Sequence, residues 1–204
     1  MLEAVVDGQC PLCFLASANI EEIFNKPGHG LDRASVGEAL ERLFARGLIE
    51  MWNQSEVSRS TPPTRCEIEA TLDELGPWDN PNCTYYGFTP EGGTQWEMFA
   101  SPNWDQFADG WSRPSQSGRS SFGTRISSTR SRLDRWLEGA YYAGQRIDTS
   151  QLHRRVLRPW QATYWKTLPE GHLVSYRFEE IDFDWDQAPH WFMELHENRW
   201  YRWS

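Results

Sequence analysis

The chain is 204 residues long, 39% hydrophobic and 24% charged, with a formal net charge of −9. That length holds one large domain or two small ones around a real core, and the composition excludes a disordered chain. No stretch approaches the roughly 18 apolar residues of a membrane span, so a soluble protein without a membrane partner is expected.

Glu3 and Asp7 stand where a secretory leader would carry positive charge, which points to the cytoplasm. Charge is spread unevenly: residues 1–112 hold 6 Lys+Arg against 18 Asp+Glu, residues 113–166 hold 11 against 3, and residues 167–204 hold 3 against 8. Twelve tryptophans are present, nine of them from Trp104 onward. Large aromatics bury much area each, so core packing is their expected use, and any left exposed would form a partner-binding surface.

Pro11 suits the first turn of a helix, and Leu12, Leu15, Ala16, Ile20, Ile23 and Phe24 follow at helical spacing up to a stop at residues 25–30. A second helix, capped by Asp32 or Ser35, carries Val36, Ala39, Leu40, Leu43 and Phe44 on one face and stops at Gly47. Residues 48–52 then read as a strand. A Ser/Thr/Pro-rich stretch (55–64) leads to a short helix over 66–75, with Ile68, Thr71, Leu72 and Leu75 on one face. After a strand at residues 85–88, Thr89 is placed to cap a further helix, with Pro90 at its first position and Glu91 at its positive end. The glycine pair Gly92-Gly93 lacks the spacing and the lysine of a phosphate loop and reads as close packing.

The run from Leu40 to Glu50 resembles the end of a recognition helix turning into the first wing strand. The segment Tyr86 to Gly92 is similar to the Tyr-x-Leu-Thr-x-x-Gly segment that closes the wing in winged-helix regulators. The resemblance implies a winged-helix (winged helix-turn-helix) domain over residues 1–98, somewhat under half of the chain. This sequence departs from the pattern twice. Two clear helices precede the strand where the regulators have three. The wing is also oversized and carries Glu67, Glu69, Asp73, Glu74 and Asp79, where a DNA wing is a compact basic hairpin. Winged helices also serve as protein-binding modules.

Residues 99–125 are rich in Ser, Gly and Pro and read as an irregular connection. A helix is predicted from Ser127 or Ser128 through Gly144, with Leu133, Trp136, Leu137, Ala140 and Tyr141 buried and Arg130, Arg132 and Arg135 exposed. Asp148-Thr149-Ser150 is expected to cap a short helix through Leu157. A hairpin follows, from 162–168 to 172–180, in which Val174, Tyr176 and Phe178 alternate against Leu173, Ser175 and Arg177. Residues 191–203 fit either a strand or a helix. The expected fold class is α+β: a winged-helix-like part with an enlarged wing, then a small Trp-rich α+β domain over 126–204.

No catalytic constellation emerges. Cys10-Pro11-Leu12-Cys13 is a C-x-x-C without the preceding strand of a βαβ unit, and Cys66 and Cys83 lie too far apart to form a second such pair, so no metal or redox site is expected. Among the histidines, His190 and His196 lie near Glu194 and Glu197 without a ligand motif. No cofactor is expected. The acidic run 179–186 offers Asp182, Asp184, Trp185 and Asp186 as a surface for a basic protein partner. The arginines of 113–158 either bind nucleic acid or neutralise the acidic first half.

The function expected from these features is a non-enzymatic, cytosolic protein-binding or regulatory module, for instance an acidic protein that masks a basic toxin. The alternative is a transcriptional regulator reading DNA with residues 35–46, using Arg33, Arg42 and Arg46 as contacts and Arg130 and Arg132 as a backbone clamp. An acidic wing disfavours the second.

Overall fold

A computed structural model describes residues 5–24, 28–53, 61–114, 121–182, 185–197 and 200. The chain divides into two compact units, Met1–Phe99 with Thr163–Lys166 and Ala100–Ala162 with Thr167–Ser204. Each mixes helices with antiparallel strands, the α+β class read from the sequence.

Unit 1 is built on a three-stranded sheet in the order β1 (Cys10–Pro11), β3 (Tyr85–Phe88), β2 (Ile49–Trp52). The single helix predicted from Pro11 to Phe24 is instead β1, a 3-10 turn over Leu12–Ala16, and α1 (Ile20–Phe24). Strand pairing decides this: Cys10 lies opposite Tyr86 and Pro11 opposite Tyr85, and the Leu12 amide donates to the Thr84 carbonyl at 2.9 Å. Because β1 is an edge strand, the missing Pro11 N–H is tolerated. Leu12 and Leu15 are buried all the same.

Helix α2 (Arg33–Ala45) is capped by Asp32, whose carboxylate accepts from the Ser35 amide at 2.8 Å. It buries Val36, Leu40 and Phe44 and ends at Gly47, which takes the left-handed φ of 66° that glycine adopts freely. Helix α3 (Arg65–Leu72) opens with a reciprocal capping box, in which the Glu67 amide donates to the Thr64 hydroxyl at 3.3 Å and the Thr64 amide to the Glu67 carboxylate at 2.8 Å. Thr64→Ala should cost about 1 kcal/mol, read as a lower denaturant midpoint with an unchanged slope. Ahead of α4 (Pro90–Ala100), the Thr89 hydroxyl accepts from the Gly92 amide at 3.0 Å and donates to the Gly47 carbonyl at 2.6 Å, so Thr89 caps α4 as predicted.

The short segment Thr163–Lys166 completes unit 1. The Tyr164 hydroxyl donates to the Val5 carbonyl at 2.7 Å and accepts from the Phe88 amide at 2.6 Å. Burial pushes this phenol well up, so it stays protonated. The Trp165 indole donates to the Val6 carbonyl at 3.0 Å, and its ring meets those of Phe88 and Trp96 edge-on. Lys166 Nζ pairs with Glu97 at 2.6 Å. The 1–98 domain read from the sequence therefore lacked four residues that its core uses.

Unit 2 is a four-stranded antiparallel sheet in the order β4 (Ala108–Pro114), β5 (Ser121–Ser127), β9 (Gly171–Glu180), β6 (Gln145–Leu157). Strands β4 and β5 occupy much of 99–125, which the sequence marked as irregular. Their Ser and Gly content hides them, because each is held by continuous cross-strand pairing rather than by its own propensity. The helix expected after Asp148 is part of β6. The Asp148 carboxylate does accept from the Ser150 amide at 3.0 Å, yet that turn forms the irregularity between Asp148 and His153 in the β6–β9 register.

The predicted hairpin is also repartnered. Two-residue strands β7 (Trp160–Gln161) and β8 (Thr167–Leu168) pair with each other, while β9 runs between β5 and β6. The predicted alternation in β9 holds: Val174, Tyr176 and Phe178 are buried and pack with Leu133, Trp136 and Ala140. The latter come from α5 (Arg130–Gly139), where Thr129 caps the helix, and from the 3-10 turn that follows. Tyr141 is exposed and Arg132 half-buried, the reverse of expectation, because α5 gives way to that turn and Arg132 reaches the Leu195 carbonyl. Residues His190–Glu197 form α6, which settles the tail as helical up to that point. Among the described residues no helix is long and apolar enough to cross a membrane.

Candidate functional site

The partition redistributes the charge seen along the sequence. Unit 1 holds 7 Lys+Arg against 16 Asp+Glu, and unit 2 balances 13 against 13, so the whole formal charge of −9 rests on unit 1. Four of the arginines of 113–158 pair with carboxylates inside unit 2. Arg154 and Arg130 pair with Asp134 at 2.6 and 3.5 Å, Arg146 with Glu179 at 3.6 Å, and Arg158 with Glu170.

The five residues proposed for DNA do not form one surface within a unit. Arg33, Arg42 and Arg46 belong to unit 1, Arg130 and Arg132 to unit 2. On α2, Arg33 and Arg42 are nine positions apart, which at about 100° per residue puts them on opposite faces. Arg33 is drawn onto α3 and its cap, with Asp73 at 2.8 Å and Glu69 at 3.3 Å. Arg65 is likewise held by Glu69 at 2.7 Å. A phosphate would have to displace these carboxylates. Arg46 donates to Gln95 at 3.1 Å, and Arg42 is exposed.

Of the four residues of the acidic run proposed for a partner, two are described in full. Asp182 is exposed beyond β9, and Asp186 is exposed in a short 3-10 turn over Trp185–Gln187. Asp184 and the Trp185 side chain lie outside the described residues.

A different feature gathers exposed apolar surface and negative charge in unit 1. Between α3 and β3 the chain makes a loop closed at its base by Glu74, whose carboxylate accepts from the Thr84 amide at 2.6 Å and the Thr84 hydroxyl at 2.8 Å. Inside it, the Asp79 and Asn80 amides donate to the Gly76 carbonyl at 3.0 and 2.8 Å, and the Cys83 amide donates to the Asn80 carbonyl at 3.0 Å. Pro77 and Pro81 flank this turn and limit its freedom further. On it stands Trp78, 80% exposed, its ring stacked on Phe14 at 5.6 Å. Leu75 beside it is 64% exposed, and Asp73 and Asp79 are exposed at the same loop.

Charge marks the carboxylates of this loop in the sequence, whereas neither charge nor periodicity marks Trp78. The signal was present in Gly76-Pro77-Trp78-Asp79-Asn80-Pro81, a dense set of turn formers around a single large aromatic.

Three of the four cysteines are packed in the interior. Cys10, Cys13 and Cys83 are buried and Cys66 is exposed on α3. Burial raises the Cys13 and Cys83 thiols, with the Glu74 carboxylate adding to the effect, which is the reverse of what a reactive thiolate needs. Among the described residues no three His, Cys, Asp or Glu side chains are arranged to hold a metal ion. His190 pairs with Glu194 at 3.4 Å on exposed helix surface. The chain matches no family model, no curated protein and no solved structure, which leaves its own geometry as the ground for a function.

Proposed function

We propose that the protein is a non-enzymatic binding module whose acidic unit 1 docks a basic protein partner through the Trp78 loop. One observation carries this: a large aromatic, 80% exposed, stands on a hydrogen-bonded turn in the unit that holds all of the net negative charge. An exposed tryptophan already fixed in place loses little entropy on binding, and such anchors dominate interface energetics. The surrounding negative field favours a cationic partner and speeds encounter. A basic toxin masked by this surface is one such partner. The scaffold reading that goes with it is winged-helix-like, supported by the antiparallel order β1–β3–β2, the passage of α2 through Gly47 into β2, and the Thr89-capped α4.

Affinity capture with the full chain tests this, comparing wild type with Trp78→Ala and with Asp73→Lys/Asp79→Lys. A basic partner should be recovered by the wild type, weaken as salt rises, and lose affinity by about tenfold or more with Trp78→Ala at unchanged circular dichroism. Equal recovery by wild type and Trp78→Ala would sink the reading. So would salt-sensitive retention of duplex DNA that disappears with Arg42→Glu/Arg46→Glu, since that result belongs to the DNA-reading alternative.

A further inference from the structure

A second feature, confined to unit 2, is a cavity of about 230 Å³ lined by residues of β4, β5, α5 and α6 together with Gln106 and Trp200. Its walls divide by chemistry. Leu133, Trp136, Leu195 and Trp200 supply apolar surface, while Arg125 and Arg132 supply two guanidinium groups.

Both arginines are held in position. The Arg125 guanidinium lies 4.3 Å from the centre of the Trp136 ring. Its stem crosses Gly110, the residue opposite it on β4, where any Cβ would come within 2.8 Å of the Arg125 Nε. Gly110 is thus the residue that leaves Arg125 its path. Arg132 donates to the Leu195 carbonyl at 3.2 Å, but its Nε is buried without a hydrogen-bond partner among the described residues. Trp136 is only 7% exposed, and its indole N–H is also buried without a partner among the described residues.

Among the described residues neither Arg125 nor Arg132 forms an ion pair. Of the two carboxylates on α5, Asp134 is engaged by Arg154 at 2.6 Å and Arg130 at 3.5 Å, and Glu138 is exposed and does not line the cavity. Two like charges without a carboxylate around one largely apolar cavity form an unfavourable arrangement when left alone. An anion in the cavity offsets the charge of both guanidinium groups. The guanidinium fork matches a carboxylate, and the apolar wall, Trp136 included, accepts a compact hydrophobic body. The volume lies just below the usual range for drug-sized sites, which limits that body to about one ring.

We propose that this cavity binds a small organic carboxylate carried on a single aromatic or branched apolar body. Gly110 and Trp136 act as positioning residues for Arg125, and Arg132 contacts the carboxylate.

Phenylacetate is a suitable probe, titrated into the full chain by calorimetry and followed in ¹H–¹⁵N spectra of the indole region. Saturable binding is expected, with a shift of the Trp136 indole resonance, identified by its loss in Trp136→Phe. The neutral isostere 2-phenylethanol should bind about tenfold more weakly or worse, and Arg132→Gln should lower phenylacetate affinity by about tenfold or more. Arg146→Gln, on the far strand β6 and paired with Glu179, should leave affinity unchanged. Absence of saturable binding, equal binding of the alcohol, or equal binding of inorganic phosphate would each overturn the proposal. A saturating ligand that leaves the Trp136 resonance unmoved would do the same. If Arg132→Gln does not fold, the wild-type comparison of the acid with the alcohol, together with the Trp136 shift, decides the matter.

Discussion

Gly92→Ala should cost unit 1 about 3 kcal/mol or more, at or beyond the upper end for overpacking a filled interior. A Cβ on Gly92 would come within 2.7 Å of the Leu48 carbonyl carbon and closer still to its oxygen. Both are backbone atoms, so no side-chain rotation relieves the clash. That oxygen also accepts the Thr89 amide at 3.2 Å, the bond that fixes the start of α4 against the end of α2 and the beginning of β2. Separating the two backbones to admit a methyl group would break it. The expected result is a lower melting temperature together with faster hydrogen exchange at Thr89 and Ile49. Gly8→Ala serves as control, because a Cβ there meets nothing within 4 Å. Equal stability of the two variants would show that the α4 approach is soft, contrary to this account.

Trp165→Ala should be at least as damaging, by about 3–5 kcal/mol, the usual cost of truncating a buried tryptophan. Its ring centroid lies 5.5 Å from that of Phe88 and 5.8 Å from that of Trp96, and its edge fills the space left by Gly93. Its indole N–H holds the Val6 carbonyl. Trp165→Phe keeps much of the ring and loses that hydrogen bond, so it should cost clearly less. A fragment ending at residue 99 carries the same defect, since Phe88, Trp96, Val5 and Val6 would lose the residues that cover them. It should show a molten near-ultraviolet spectrum, with native signal returning only in chains that include 163–166. A cooperatively folded 1–99 fragment with the stability of the intact unit would contradict this role for Trp165.

These two positions show how unequal the sequence is as a guide. The pairing of Gly92 with Gly93 was legible as a close approach, because glycine in the first turn of a helix has few other uses. What approaches them was not legible: Leu48 lies 44 residues before Gly92 and Trp165 lies 72 residues after Gly93. In the same way, Asp148-Thr149-Ser150 announced local turn chemistry, and the hydrogen bonds are present. Whether such a turn starts a helix or bends a strand depends on a neighbour, here β9, that the local residues do not name.

The candidate sites repeat the lesson. Asp182 to Asp186 attracted notice through charge density, a local property. Trp78 escaped it because a tryptophan's exposure is set by what the rest of the chain leaves uncovered. The cavity of Arg125, Arg132 and Trp136 joins a strand to a helix, and the charges around it could be told apart only once Asp134 was seen to be engaged elsewhere.

By itself, then, the sequence determined the features whose cause lies within one helical turn or one strand. These are the Asp32 cap and Gly47 stop of α2, the Thr89-Pro90-Glu91 start of α4, the buried face of β9, and the α+β class. Tertiary structure decided the rest: β1 in place of a longer helix, the β4–β5 pair in a Ser/Gly-rich stretch, the capture of Thr163–Lys166 by unit 1, and the concentration of the net charge there. The physical reason is the range of the forces. Caps, turns and periodicity act between residues a few positions apart, whereas strand pairing and burial reward contacts between residues that the sequence keeps far apart.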